Sequence, residues 1–515
     1  MQKNSFLFVI LSSITIFVWF FFLAPKGQHQ VVQSSTQSRA ATSLENVSKK
    51  STFDTINPNE SYIIDEEKIN IENETYRAVL TNKGAAILTW SVKENNGQWV
   101  DLVFPGAQPT MASFPGSIYK IVSKTNNKIV FEYTSKEGWK ITKTYNLDKN
   151  YMHNLNILIE RTRENVIAPQ IDISWGPGLG TDLKEEKENI SLTRALAYTI
   201  DKPYKLKKLK NEPELAPSYK WVAIDNRYFL AAFIPENSKD FDKIIPSRLD
   251  KKHPFGISLE ATFPKDLAKK GYSVNFYLGP KGYTYLKTYN LDLEKTVDFG
   301  FFGFLGKIAF SVLTFFYGLT NNYGWAIIMI TVVIQILVFP LTLKSLKSTA
   351  SMKRVQPLIK EIQTKYKDEP QRLQSEMINI YRTQKVNPLG GCLPMLLQLP
   401  IFWAFFTMLR NAYELRSASW ILWVKDLSAA DHFIMIGSFC IHLLPLIMGF
   451  GMFLQQKMTA ITSDPTQKKI MYIMPVLFTF MFWSFPSGLV IYWITNSAIS
   501  MIEQYFVLKK VQSRV

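Results

Sequence analysis

The 515-residue sequence contains only two cysteines and five histidines, and this scarcity excludes several kinds of protein. Cys392 and Cys440 lie in or beside apolar stretches, and residues 60–295 contain no cysteine. Neither a disulfide framework nor a Cys-x-x-Cys zinc site is therefore available in that region. His153 and His253 are far apart in the sequence and lack the spacing of metal ligands. We expect no metal and no other cofactor.

Catalytic signatures are also missing from residues 60–295. The region has no Gly-x-Ser-x-Gly nucleophile motif and no glycine-rich phosphate loop. Four of its acids, Asp182, Glu185, Glu186 and Glu188, lie in one charged run. Such a run is more typical of a solvated loop than of a catalytic pair. The sequence therefore predicts that the protein is not an enzyme.

Acidic residues are in deficit, with 42 Asp and Glu against 59 Lys and Arg, a formal net charge of +17. No recognisable nucleic-acid-binding module accompanies this charge, so we expect no DNA partner. Basic residues beside anionic phospholipid headgroups explain much of the excess. Ribosomal RNA is a second possible partner for the same charge.

Charged residues are absent from a stretch near the N-terminus, Phe6–Ala24. It follows Lys3 and ends in the bulky run Trp19–Phe22, whereas a cleaved signal peptide ends in small residues. We predict an uncleaved membrane anchor over residues 1–25, with its N-terminus in the cytoplasm. Residues 26–58 are rich in Gln, Ser and Thr, which favours a flexible tether.

Five further apolar stretches in the C-terminal half have about the length that crosses 30 Å of hydrocarbon. They are Trp325–Leu343, Leu393–Leu409, His432–Leu454, Ile470–Phe485 and Leu489–Leu508. We predict a five-span core over residues 323–510 and a short cytoplasmic tail at 511–515. None of the five carries Asp, Glu, Lys or Arg near mid-span, and no span pattern repeats, which argues against an ion-coupled transporter.

A strongly basic loop, residues 344–391, separates the first two of these spans. It holds ten Lys or Arg and four Asp or Glu, and short loops of this composition stay in the cytoplasm. Helical periodicity on both sides of Pro370 predicts an antiparallel hairpin of two amphipathic helices. The hairpin either only sets the orientation or also docks a partner. The candidate docking residues are Lys353, Arg354, Lys360, Lys365, Arg372 and Arg382.

One more apolar stretch, Phe299–Leu319, is long enough to span and contains a single charge, Lys307. If it crossed the membrane, every later loop would change sides and the basic loop would lie outside. We therefore predict that residues 296–322 form an amphipathic helix lying in the outer interface.

Residues 59–295 alternate apolar and polar side chains with period two, as in the run from Trp139 to Leu147. Turn sequences such as Asn95-Asn96-Gly97 recur between these runs. Many short strands separated by turns predict a large β-sandwich on the outer side, with one possible helix around Lys265–Lys270.

Polar side chains inside the spans are costly in hydrocarbon and point to function. Thr331 and Gln335 are four residues apart and share a helix face. Gln398 lies in the next span and Asn496 in the last. These side chains either line a wet cavity open to the cytoplasm or each bond a neighbouring helix.

Several motifs in fixed order resemble one family. In the core they are Asn387–Pro394, Gln398–Phe402, Asp464-Pro465 and Phe485–Tyr492; in the outer domain they are Trp175–Leu179, Tyr228–Pro235, Leu278–Lys281 and Val297–Gly300. Over nearly its full length the chain resembles the YidC-type membrane protein insertases, in the Gram-negative form with a large periplasmic domain.

The resemblance implies a multi-pass protein of the bacterial inner membrane, with both termini in the cytoplasm and the β-sandwich in the periplasm. It implies an insertase and chaperone that receives nascent membrane proteins from the ribosome, alone or beside the Sec translocon. In this family five helices surround a hydrophilic groove that is open to the cytoplasm and to the phospholipid bilayer. The substrate's polar tail enters the groove, and no nucleotide is hydrolysed.

The chain departs from the family at two groove positions. The usual arginine is replaced by Gln335, which predicts weaker attraction of acidic tails. The family's substrate-facing aromatic pair is Tyr492-Trp493 here, with tryptophan in place of the second tyrosine. The resemblance thus assigns Thr331, Gln335, Tyr492 and Trp493 to the groove.

Two other functions are alternatives: a polytopic transporter and a membrane-anchored carbohydrate-binding protein. The first needs coupling charges at mid-membrane, and the second needs paired carboxylates and aromatic platforms in the outer domain. Deletion of residues 60–290 separates them, because an insertase core is expected to keep its activity.

Overall fold

The computed structural model describes residues 65–512, with gaps at 105–106, 165, 168, 181–191, 201–205, 210–213, 216–218, 249–256, 266–270, 387–392, 438 and 460–464. Several predicted features lie outside the described residues. They are the anchor, the tether, the acidic run at 182–188, residues 266–270 of the possible helix, the Asn387–Cys392 motif and Asp464. The chain divides into two compact units, and Leu358–Arg382 belongs to a different unit from Asp65–Pro357 and Thr383–Val515.

The outer region folds as antiparallel strands. Their bounds are β1 (Lys68–Glu72), β2 (Tyr76–Thr81), β3 (Ala86–Lys93), β4 (Trp99–Asp101), β5 (Lys120–Lys124), β6 (Lys128–Thr134), β7 (Trp139–Asn146), β8 (Met152–Arg161), β9 (Asp172–Trp175), β10 (Arg194–Thr199), β11 (Leu206–Lys208), β12 (Glu214–Leu215), β13 (Tyr219–Asp225), β14 (Phe229–Pro235), β15 (Lys243–Arg248), β16 (Ile257–Thr262) and β17 (Gly271–Pro280).

These strands form three sheets. The largest has the order β11-β10-β13-β14-β17-β8-β7-β6-β5, and the smaller ones are β1-β2-β3-β4 and β12-β15-β16-β9. One apolar core contains Trp90 of β3, Trp175 of β9 and Phe276 of β17, and so draws on all three sheets. The predicted β-sandwich is confirmed. The period-two pattern on which the prediction was based is present in the structure, because alternate side chains of β7 are buried along its whole length.

One inward position of β7 holds a lysine, Lys143, which is fully buried. Its ammonium donates to the carbonyl oxygens of Ala85, at 2.9 Å, and Met111, at 2.7 Å. Burial lowers the pKa of Lys143 to about 7, because desolvation disfavours the charged form.

We expect this lysine to make the stability of the protein depend on pH. The pKa of Lys143 in the folded state lies below the ordinary 10.5. The destabilisation that results from burying its charge is therefore complete below pH 7 and declines as pH rises towards 10.5. Between pH 7 and 9.5 the wild type should gain about 3 kcal/mol relative to Lys143→Met. Thermal and chemical unfolding in detergent at both pH values measure this difference. Lys128→Met, at an exposed position of β6, is the matched control. If the stability of Lys143→Met rose between the two pH values as much as that of Lys128→Met, the prediction would be contradicted.

The helices follow the strands. Their bounds are α1 (Tyr283–Thr288), α2 (Gly303–Thr320), α3 (Tyr323–Lys365), α4 (Pro370–Thr383), α5 (Leu393–Asn411), α6 (Leu443–Thr459), α7 (Pro465–Met481) and α8 (Ser487–Gln512). Among the described residues, α2 and α3 are long and apolar enough to cross a membrane, by length and composition. The helical membrane core beside a β-rich outer domain is the predicted fold class.

The basic loop is helical on both sides of Pro370, as predicted, and α4 begins at that proline. However, its first helix is continuous with the preceding span, so α3 runs for 43 residues through Pro340 and Pro357. In α2, the apolar side chains of Phe304, Phe315 and Leu319 are strongly exposed. Its position in the outer interface stays a prediction.

The predicted span His432–Leu454 is wrong over its first eleven residues. Two short strands, β18 (Ile434–Ile436) and β19 (Phe439–Ile441), pair antiparallel there, and the helix begins only at Leu443. Gly437, with φ +61°, makes the turn. Asp431 Oδ2 then accepts from the amides of Leu443, at 2.8 Å, and Leu444, at 3.1 Å, which caps the helix. At the other end of the next span, α7 ends at Met481 rather than at Phe485.

The segment after α5 joins the helices to the β-sandwich. Arg416 and Glu94 form an ion pair whose side chains are 6% and 4% exposed. The guanidinium of Arg416 also lies 4.6 Å from the ring centre of Tyr228. Arg227 Nε donates to the carbonyl oxygen of Arg410 at 2.8 Å. A buried charged contact thus connects the two regions.

Candidate functional site

The predicted polar face of α3 is buried. Thr331 is 0% and Gln335 6% exposed, although α3 also carries Ile336 and Leu337 on a strongly exposed face. The hydroxyl of Thr331 donates to the carbonyl of Ile327 at 2.6 Å, within its own helix. The side chain of Gln335 instead reaches another helix.

Three amides from three helices meet at one oxygen. Asn496 Oδ1 on α8 accepts from Nε2 of Gln335 on α3 and from Nε2 of Gln398 on α5, the latter at 2.8 Å. Gln335 Nε2 is also 3.5 Å from Ser500 Oγ. We call Gln335, Gln398 and Asn496 the amide cluster. It places three residues predicted from separate spans in direct contact, and it carries no net charge.

The aromatic pair lies next to the amide cluster on α8. Tyr492 is 1% exposed, and its ring centre lies 4.7 Å from that of Phe405 on α5. Trp493 is half-buried and contacts Phe402, at 5.2 Å, and Phe482, at 5.3 Å. Both residues therefore belong to an aromatic layer that also contains Phe402 and Phe405 of α5.

Polar residues continue along α3 beyond Gln335. Ser345 and Thr349 are buried, and Lys353 Nζ donates to the carbonyl oxygen of Met458 at 2.8 Å. Lys353, one of the candidate docking residues, is therefore half-buried and bonded to its own chain.

The other candidate docking residues, Arg354, Lys360, Lys365, Arg372 and Arg382, are exposed. Within the unit Leu358–Arg382, Arg372 pairs with Glu369 at 3.4 Å and lies 5.0 Å from the ring centre of Tyr366. Exposed pairs of this kind contribute little stability, so the charges remain available to a partner.

Sequence reasoning did not single out Glu503 and Gln504, near the end of α8. Buried oxygens of both side chains, Glu503 Oε2 and Gln504 Oε1, accept no hydrogen bond within the described part of the chain. The sequence does contain a signal for Glu503: it lies seven residues, or two helical turns, after Asn496 and therefore shares a helix face with it.

The chain matches two family profiles and several known proteins. The profile described as "60Kd inner membrane protein" matches residues 315–514, and "YidC periplasmic domain" matches residues 99–312. A protein of Endomicrobium trichonymphae named "Membrane protein insertase YidC" is 70% identical over 515 residues, covering 99% of this chain and 98% of the relative. One with the same name from Syntrophus aciditrophicus is 34% identical, covering 86% and 85%.

A solved structure described as an "Active YidC insertase crystal structure with the first transmembrane domain resolved" is also similar. It is 20% identical, with a TM-score of 0.40, and the match covers 86% of this chain and 93% of that one.

Proposed function

The chain belongs to the YidC family of membrane protein insertases, and from this premise we propose that the polar tail of a nascent membrane protein passes beside the amide cluster, between α3, α5 and α8. The protein is an insertase of the inner membrane with a periplasmic domain, and not an enzyme. Its substrates are membrane proteins, and it works in phospholipid. The observation that supports the route is the convergence of two amide donors, Gln335 and Gln398, on the side-chain oxygen of a third amide, Asn496, among apolar helices.

The physical role of the amide cluster is to replace water. An unpaired peptide group in hydrocarbon costs several kcal/mol, and this cost opposes transfer of any polar tail. Amide side chains both donate and accept, so they can exchange their mutual hydrogen bonds for bonds to the passing tail. Because each exchange conserves the number of hydrogen bonds, the free-energy barrier to moving the polar tail across the membrane is lowered.

The substrate's apolar segment takes a different path in this proposal. Leu399 on α5 and Ile473, Val476 and Phe480 on α7 expose between 50% and 70% of their surface. These side chains offer a lipid-facing track for an apolar helix leaving the polar route. Since lipid and apolar side chains are similar solvents, the segment moves outward at little cost.

Topology and partners complete the proposal. The basic loop 344–391 and both termini lie in the cytoplasm, because Lys- and Arg-rich loops are retained there. The exposed basic residues of Leu358–Arg382 dock the ribosome through its RNA phosphates, whose attraction is electrostatic. The protein acts alone or beside the Sec translocon.

A photo-crosslinker on α3 tests the route. Placed at Gln335, it should react with the polar tail of a single-span protein stalled on the ribosome. Placed at Leu337, which is 74% exposed and two residues along the same helix, it should react mainly with lipid. The matched pair controls for expression and for insertion of the probe. A third probe is placed at Gln398. If the substrate tail reacts with the probe at Leu337 but not with the probes at Gln335 and Gln398, the route lies elsewhere.

A further inference from the structure

One stripe of α8 contains more than the amide cluster. At about 100° per residue, Tyr492, Asn496, Ser500 and Glu503 all fall within an arc of about 80°. Gln335 Nε2 lies 3.5 Å from Ser500 Oγ, so this stripe faces α3. Glu503 is therefore the acidic member of the face that carries the amide cluster.

Two acceptors at this end of α8 have no donor. Glu503 Oε2 and Gln504 Oε1 are both buried and unbonded within the described residues, and Gln504 is only 7% exposed. Leaving a buried acceptor unpaired is unfavourable. By contrast, Asn496 Oδ1 already accepts from two amides. The vacant hydrogen-bonding capacity near Glu503 therefore consists of acceptors, which suit a ligand rich in N–H groups.

The lysines of α3 do not supply that ligand. Ile327 packs so closely against Gly488 that a Cβ on this glycine would lie 3.1 Å from Ile327 Cδ1, and eight residues further along both helices Gln335 bonds Asn496. The helices α3 and α8 therefore run in the same direction. At 1.5 Å per residue, Lys353 is then about 16–22 Å further along the axis than Glu503.

Two other lysines of α3, Lys344 and Lys347, lie nearer in depth. They are exposed and about 160–220° around the helix from Thr331, on its opposite side. No salt bridge among the described side chains includes Glu503.

We propose that Glu503, assisted by Gln504, is a specificity residue that favours substrate tails carrying a Lys or Arg side chain or a free N-terminal ammonium. The inference rests on the proposed route past the amide cluster. With Gln335 neutral, Glu503 supplies the fixed charge of this face, and its sign is negative. A cationic tail gains an opposite charge and unpaired acceptors, whereas an acidic tail meets a like charge in a poorly solvated site. The route thus selects against acidic tails as well as lacking attraction for them.

The test uses three single-span substrates whose tails differ only in two positions, occupied by Lys, Ser or Asp. Full-length protein is reconstituted in liposomes without a membrane potential, because a potential would itself act on charged tails. We expect the Lys tail to insert about five- to tenfold faster than the Asp tail. Glu503→Gln should reduce this ratio to about one, with the insertion rate of the Ser tail in the same variant as the internal reference. Glu503→Asp should retain the preference, and Glu361→Gln, the same charge change at an exposed residue of α3 outside this face, should not alter it.

The outcomes separate the two proposals. Failure of the Ser tail to insert with wild-type protein would overturn the route itself. Normal insertion of the Ser tail with no Lys-over-Asp preference, or with a preference that survives Glu503→Gln, would overturn only the role of Glu503.

Discussion

Replacing Asn496 with leucine should cause the largest single loss of insertion of any change in the membrane core. Asn496 Oδ1 is the shared acceptor for Gln335 and Gln398. Without it, Nε2 of the half-buried Gln398 loses this acceptor, and Nε2 of the buried Gln335 keeps only 3.5 Å contacts with Ser500 Oγ and the carbonyl oxygen of Asn496, at a cost of about 1–3 kcal/mol each. We expect the free energy of unfolding to fall by about 2–6 kcal/mol. Insertion of a polar-tailed substrate should fall at least about tenfold, since about 1.4 kcal/mol on a barrier is tenfold in rate. Thermal unfolding in detergent and insertion into liposomes measure the two effects.

A triple variant separates stability from function. Changing Gln335, Gln398 and Asn496 together to leucine removes donors and acceptor at once, which is far less costly than removing one partner. The triple variant should recover most of the stability that Asn496→Leu loses, yet still fail to insert substrates with polar tails. Recovery of insertion by the triple variant would show that the amide cluster is structural only.

The second large effect is expected where the helices meet the β-sandwich. Arg416→Ala leaves the carboxylate of Glu94, 4% exposed, without its guanidinium partner. Removing one member of a buried ion pair typically costs about 3–5 kcal/mol, because the remaining charge stays desolvated. The contact of the guanidinium with the ring of Tyr228 is lost as well. We expect a clearly lower melting temperature and faster proteolysis of the segment after α5.

The matched control removes both charges. Arg416→Met with Glu94→Leu replaces the pair by apolar side chains of similar size, which is often neutral or stabilising. Insertion by the double variant should remain within about twofold of wild type, because the amide cluster is untouched. If the double variant is as unstable as Arg416→Ala, packing at this contact matters more than charge pairing.

This junction bears on the proposed deletion of residues 60–290. Leu196, Trp221 and Tyr277 of the β-sandwich share one apolar core with Phe310 of α2 and Phe405 of α5. Deleting the sandwich would expose that core to water. The point changes Arg416→Ala and the double variant probe the same contact while leaving the core covered.

Much of this protein could be predicted from local patterns. Period-two burial identifies strands such as β7, and long apolar runs locate the helices α3, α5 and α8. The excess of Lys and Arg in residues 344–391 predicts a cytoplasmic hairpin, and Pro370 marks the start of its second helix. Ordered motifs predict the family, which the similar proteins confirm. Each of these signals is contained within a few turns of chain.

Only the tertiary structure determines which distant residues meet. Gln335 and Asn496 are 161 residues apart, and no periodicity specifies that one oxygen accepts from both Gln335 and Gln398. Likewise, Lys143 lies in a regular strand pattern, yet its burial depends on carbonyls supplied by Ala85 and Met111. The wrong start predicted for α6 has the same origin, because its cap, Asp431, lies twelve residues upstream across a hairpin. Hydropathy and periodicity are local properties, whereas hydrogen-bond partners and burial are fixed by how the elements pack.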